Sequence, residues 1–134
     1  GYTTDVPSLM DLATLLISKP GGLTTSEALA KRLPLVIVNP IPGQEAYNAR
    51  YLLSRGAAVH AGSPEMVRQT VRDLLDDPEQ LAAIRRRSEE LAQPNASIDV
   101  ARLLMELADA RRASAPARGA VVRAANEVVS PSAR

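Results

Sequence analysis

Two short loops gather the residue types that handle anionic and hydroxylated ligands. The first is Lys19-Pro20-Gly21-Gly22-Leu23-Thr24-Thr25. Consecutive glycines let a backbone approach a ligand without interference from Cβ. Strong helix formers follow, so the free N–H groups and positive dipole end of a helix would sit just behind them, an arrangement suited to phosphate. Thr24 and Thr25 add hydroxyls, and Lys19 adds a cation. No Gly-Lys-Ser/Thr closes the loop and no Gly-x-Gly-x-x-Gly runs through it, so it is neither a Walker loop nor a dinucleotide fingerprint. Glu27 stands one turn further on. It could accept both hydroxyls of a ribose attached to a diphosphate, or serve as the partner of Thr24 in a capping box, and the two roles compete for the same oxygens.

The second loop, Asn39-Pro40-Ile41-Pro42-Gly43, ends in Gln44-Glu45, with Asn48 one turn later. An amide beside a carboxylate can distinguish sugar hydroxyls by their donor and acceptor pattern. The same residues also suit the first turn of a helix. Other chemistry is excluded by composition. The chain has no Cys, one His and 2% aromatic residues, without Phe or Trp. Disulfides, thiolate nucleophiles and multi-His metal sites are therefore out of reach, and few stacking platforms exist for nucleic-acid bases. The formal net charge of +1 also argues against a nucleic-acid partner. It conceals an asymmetry: residues 1–110 carry 11 basic and 14 acidic side chains, whereas 111–134 carry five Arg and one Glu. That Ala/Pro/Ser-rich tail reads as a solvated, disordered terminus, or as a peripheral contact for an anionic membrane.

The elements that must position the loops are an alternation of strands and helices. Apolar Leu15 to Ser18, Leu35 to Val38 and Ala57 to His60 predict three short buried strands. The intervening stretches behind Thr24 and from Gln44 to Arg55 predict helices, the second ended by Gly56 at C′. Helices are also expected after Ser63-Pro64 and Asp77-Pro78, and from about Ser97 to Arg112. Such an alternation implies an α/β class with a parallel, Rossmann-like sheet flanked by helices on both faces. Ligands of such sheets bind beyond the carboxyl ends of the strands, where both loops fall. Leu35 to Val38, the longest apolar run considered, is far short of the roughly 20 residues that span a bilayer. Gly1 in place of Met suggests a fragment. His60 ends a strand beyond the loops and reads as an edge residue.

The run KPGGLTTSEALAKRLPLVIVNPIPGQEAYNARYLLSRGAAV resembles the C-terminal, donor-binding domain of glycosyltransferase family 28, which includes bacterial processive diacylglycerol glucosyltransferases and plant monogalactosyldiacylglycerol synthases. The lipid-linked N-acetylglucosaminyltransferase of peptidoglycan synthesis is similar at a greater distance. The likeness covers about Gly1 to Val59. It combines Lys-Pro-Gly-Gly-Leu-Thr, Ser-Glu-Ala, Leu-Pro and Pro-Gly-Gln-Glu with Asn48, all in order.

The resemblance implies a partial C-terminal domain of a GT-B fold over residues 1–112, with the basic tail at 113–134. It implies a UDP-glucose or UDP-galactose donor, a lipid acceptor such as diacylglycerol, inversion at the transferred carbon and no tightly bound cofactor or metal. Carried over by position, Gly21, Gly22, Leu23, Thr24 and Thr25 would hold the diphosphate and Glu27 the ribose. Gln44 and Glu45 would face the hexose, with Asn48 close by. The backbone of Val6 would pair with uracil, Met10 would pack on the base, and Lys19 would neutralise the departing diphosphate. The acceptor site and the general base would belong to an N-terminal domain absent from this chain. The implied location is cytoplasmic, with any membrane contact peripheral at the inner face. Thr14 and Arg32 depart from the pattern, standing where relatives usually carry Asp and often Gly. A non-catalytic, truncated relative acting as a nucleotide-sugar-binding or interaction module is the alternative reading.

Overall fold

The computed structural model describes residues 3–114 of the 134-residue chain. The basic tail expected at 113–134 therefore lies almost wholly outside the described residues. The chain divides into two compact units at Pro94 and Asn95. The first contains the sheet and both loops.

That unit runs α1 (Val6–Leu12), β1 (Leu16–Ser18), α2 (Gly22–Ala30), β2 (Leu35–Ile37), α3 (Gln44–Ser54), β3 (Ala58–His60), α4 (Pro64–Asp76) and α5 (Pro78–Leu91). The three strands form one parallel sheet in the order β1-β2-β3, as the strand–helix alternation requires. Register pairs Ile17 with Val36 and Val36 with Val59. β2 is central and all three of its residues are buried. Successive side chains of a strand point to opposite faces, so β2 supplies two cores. Leu35 and Ile37 pack with Ala49 and Leu52 of α3 and with Leu29 of α2. Val36 packs with Leu74 of α4 and with Leu81 and Ile84 of α5. Helices therefore cover both faces, and each fully buried aliphatic side chain stabilises the unit by about 1.5–3 kcal/mol.

Local chemistry sets the boundaries. Ser63 and Asp77 cap α4 and α5 by accepting from the amides of Met66 and Gln80, with Pro in each first turn. Gly56 ends α3 at φ 68, its amide bonded to the Leu53 carbonyl, in the left-handed region that Gly enters freely. The α1 helix was not expected from periodicity. It is seven residues long and is started by Asp5, which accepts from the Ser8 amide, with Pro7 in the first turn.

The second unit is described by α6 (Ala96–Ser114), slightly longer than the expected Ser97 to Arg112. Among the described residues, no helix is long and apolar enough to cross a membrane.

Candidate functional site

The first loop folds differently from the capping box its sequence allows. α2 begins two residues before Thr24, at Gly22, with Gly21 as its N-cap and no side-chain cap. Gly21 holds extended backbone (φ −64, ψ 153) and its carbonyl accepts from the Thr25 amide at 2.9 Å. Thr24 is thus already inside the helix, and the Thr24–Glu27 box does not form. The physical reason lies in the glycines, which let the helix start directly after Pro20. Two consequences follow. The Gly22, Leu23 and Thr24 amides have no partner among the described residues, as in any uncapped first turn. The Glu27 carboxylate, released from the box, has no hydrogen bond or ion pair among them either.

Gly43 turns the second loop at φ 104, a conformation strained for any residue with a Cβ. It caps α3 without a side-chain bond, and Gln44 and Glu45 open the helix. Glu45 Oε2 accepts from the Ile41 amide at 2.8 Å, so one of its oxygens is used in holding the loop. Asn48 Nδ2 donates to the Pro20 carbonyl at 2.9 Å and ties the second loop to the first. Gln44 Nε2 lies 3.6 Å from where a Cβ on Gly22 would stand. The two loops, 22 residues apart in sequence, meet at the carboxyl end of the sheet.

Where they meet, a groove of about 380 Å³ is lined by Gly22, Thr25, Ser26, Gln44, Tyr47, Asn48 and Tyr51. Four of these were expected site residues: Gly22, Thr25, Gln44 and Asn48. The other three, Ser26, Tyr47 and Tyr51, were not. The spacing of Tyr47 and Tyr51 indicates only a shared helix face, and the signal that could have found them is that they are two of the chain's three aromatics. Thr25 Oγ1 is shielded from solvent and has no hydrogen-bond partner among the described residues. An unmet buried hydroxyl costs on the order of 1–3 kcal/mol, so this one is a reserve of unspent bonding. Ser26 spends its hydroxyl on the Gly22 carbonyl at 2.9 Å.

The remaining expected residues are placed as follows. Lys19 is exposed at the start of the first loop and makes no ion pair among the described residues. Leu23 is exposed beside the free amides. Val6 opens α1 and is partly exposed. Met10 is buried against Ala28 and Leu33, and it faces a different groove, shared with Asp11, Lys31, Arg32 and Arg85. The structure does not bring it to the loops. His60 is exposed at the end of β3. No three His, Asp or Glu side chains gather as a metal site needs, among the described residues.

A parallel Rossmann-like sheet whose ligand loops converge beyond its carboxyl ends is the architecture of a GT-B glycosyltransferase C-terminal domain. Residues 1–91 match the family model "Glycosyl transferases group 1", and the chain belongs to that family. Among curated proteins it is similar to the processive diacylglycerol beta-glucosyltransferase of Staphylococcus carnosus, at 35% identity over 109 residues, 81% of this chain and 28% of the relative. The Bacillus subtilis enzyme of the same name is 34% identical over 97 residues, covering 72% of this chain and 25% of the relative. That of Staphylococcus epidermidis strain RP62A is 41% identical over 81 residues, 60% of this chain and 21% of the relative. The chain thus spans about a quarter of the length of the relatives it matches.

Proposed function

We propose that this chain is the donor-binding portion of an inverting hexosyltransferase that uses a UDP-sugar and a lipid acceptor such as diacylglycerol. The observation that carries the reading is the meeting of the two loops: unspent amides at Gly22, Leu23 and Thr24 within reach of Gln44. Three free N–H groups at a helix start, with the helix dipole behind them, suit a diphosphate. Lys19 adds a cation that stabilises the charge developing as the diphosphate leaves. Glu27, free of the capping box, is available to the ribose hydroxyls. Gln44 and Asn48 face the hexose, and Glu45 offers its second oxygen while the first holds the loop. The name borne by the relatives, a processive diacylglycerol beta-glucosyltransferase, supports both the lipid acceptor and repeated transfer to a glycosylated product.

In this reading an acceptor hydroxyl attacks the anomeric carbon from the face opposite the diphosphate. The new C–O bond forms as the bond to the β-phosphate oxygen breaks, and UDP departs with both electrons of that bond. The hydroxyl proton passes to a base on the acceptor side of the cleft, in an N-terminal domain. This chain contributes binding and charge stabilisation, with no tightly bound cofactor, and glucose and galactose donors fit its groups alike. Any contact with an anionic membrane is peripheral, on the cytoplasmic side.

The test is a titration of the chain with UDP, followed by amide chemical shifts. Saturable shifts at Gly21, Gly22 and Glu27 are expected, with weak affinity because one side of a cleft covers only part of the ligand. Absence of saturable binding at millimolar UDP would remove the donor reading and favour the non-catalytic interaction module.

A further inference from the structure

We infer that Asn48 is a positioning residue for the diphosphate: by taking the Pro20 carbonyl, its side-chain amide keeps the Thr24 N–H free for the ligand. The proposal rests on the donor reading above and specifies what holds that site's helix start open.

The first loop engages its acceptors and keeps its donors. The Lys19 carbonyl accepts from the Gly21 amide at 2.9 Å and from Ser18 Oγ at 3.1 Å. The Gly21 carbonyl accepts from the Thr25 amide at 2.9 Å, the first bond of α2. Between them, the Pro20 carbonyl accepts from Asn48 Nδ2 at 2.9 Å. Gly22, Leu23 and Thr24 follow with no partner for their amides among the described residues.

Helical hydrogen bonds run from each N–H to the carbonyl four residues back. For Thr24 that carbonyl belongs to Pro20. Pro20 is buried, so its carbonyl needs a donor, and two groups can supply one. If Thr24 supplied it, α2 would begin one residue earlier and one of the three free amides would be lost to the helix. Asn48 supplies it instead.

The reason lies in α3. Ala49 and Leu52, the next residue and the next turn, are buried and pack on Leu35 and Ile37 of β2. The core therefore fixes the backbone that carries Asn48, whereas the loop ahead of α2 contains two glycines and yields to it. A carbonyl can only accept, so the Asn48 atom facing Pro20 is the nitrogen. Its oxygen, unbonded among the described residues, stays available to a sugar hydroxyl. Gln44 stands one turn earlier on the same helix. Asn48 thereby joins the two ends of the donor site, and it acts on the diphosphate without touching it.

The test reads one amide and two ligands on the whole chain. In the free protein Asn48→Ala is expected to slow hydrogen exchange at the Thr24 amide about fivefold or more, as that N–H turns to the Pro20 carbonyl. UDP has no hexose, so a residue that contacts only the sugar leaves its affinity unchanged. Loss of one amide–phosphate bond is expected to weaken UDP about tenfold, and UDP-glucose by the same factor to within about twofold. Asn48→Asp keeps the size and the oxygen but has no N–H to give. Read in the free protein at neutral pH, it should protect Thr24 as Asn48→Ala does. A fall for UDP-glucose alone would make Asn48 a hexose contact and overturn the proposal. So would a fall for UDP with Thr24 exchange unchanged, because Asn48 would then touch the diphosphate directly. A lower melting temperature with UDP affinity and Thr24 exchange both unchanged would reduce Asn48 to a structural tie and overturn it as well. All three results leave the donor reading intact. Failure of the unsubstituted chain to bind either ligand removes that reading, and the positioning role with it.

Discussion

Grooves lie at both ends of the sheet, and the one at the amino end, the wrong end for the expected chemistry, is larger than the one between the two loops. At the amino end about 430 Å³ is lined by Lys31, Arg32, Arg85 and Arg86 beside Asp11 and Glu89. At the carboxyl end about 380 Å³ lies between the two loops. What separates them is how their polar groups are used. Lys31 is paired with Asp11, Arg32 with Glu89 at 3.4 Å, and Arg85 donates to the Thr14 carbonyl at 3.4 Å. At the carboxyl end the α2 amides, Glu27, Lys19 and Thr25 Oγ1 remain unspent among the described residues. The fold pairs most of its charges at the amino end, Arg86 excepted among the described residues, and withholds bonds at the other, which supports the proposed reading of the second as the place for a ligand. Volume does not make that distinction, and neither does the number of cations.

The contrast can be broken in graded ways. Leu52→Ala has the largest expected effect, because Leu52 is 1% exposed beneath α3 and packs with Leu35 and Ile37. Truncating it should cost about 2–5 kcal/mol and lower the melting temperature by more than 10 °C, with both ends lost together. A calorimetric scan reads this, and a small shift would mean that α3 is not fixed by the core. Gly22→Ala acts on one end only. Its new Cβ meets nothing closer than Gln44 Nε2 at 3.6 Å, an ordinary contact, and Ala suits a helix better than Gly. The fold should be unharmed or up to about 1 kcal/mol more stable, while the methyl group stands in the path of the diphosphate and UDP affinity falls about tenfold or more. A variant that binds UDP normally would show that the backbone there is not approached. Glu27→Gln should weaken UDP several-fold with an unchanged melting temperature. A capping-box role would instead give lower stability, by about 1 kcal/mol, without that binding loss.

Much of this arrangement was legible in the residues. The three strands and the order of the elements followed from apolar runs bounded by Pro and Gly, and the caps at Ser63 and Asp77 from their side-chain types. The start of α2 was not legible in the same way. Thr24 and Glu27 have the spacing of a capping box, yet Gly21 permits an earlier start, and the choice is decided by how Pro20 and Asn48 tie the loops together, a contact between residues 28 apart. Tyr47 and Tyr51 were missed for a related reason. Helical spacing shows that they share a face of α3, but only the position of α2 shows that this face remains open. Met10 shows the reverse. The resemblance implied a base contact for it, whereas Ala28 and Leu33 enclose it at the other end of the sheet. α1 was missed because seven residues hold too few turns for periodicity to register, although Asp5 and Pro7 signalled its start.

The smallest expected effect tests the amino end. Arg32 sits at φ 53, and a side chain there costs roughly 1–2 kcal/mol relative to right-handed backbone. Its ion pair with Glu89 offsets little of that. Both side chains are more than half exposed, and such surface pairs contribute about 0–1 kcal/mol. Arg32→Gly removes the strain but also loosens the unfolded chain, which takes back about 0.4–1 kcal/mol. The two nearly cancel, so the melting temperature should stay level or rise by a few degrees. UDP affinity should not change, because Arg32 follows the end of α2 and the free amides stand at its beginning. Arg32→Asn is the companion variant: Asn tolerates left-handed backbone without Gly's freedom in the unfolded chain, so it should be at least as stable as Arg32→Gly. A fall in UDP affinity in either variant would join the two grooves into one functional surface, and the distinction between paired and withheld charges would no longer separate structure from site.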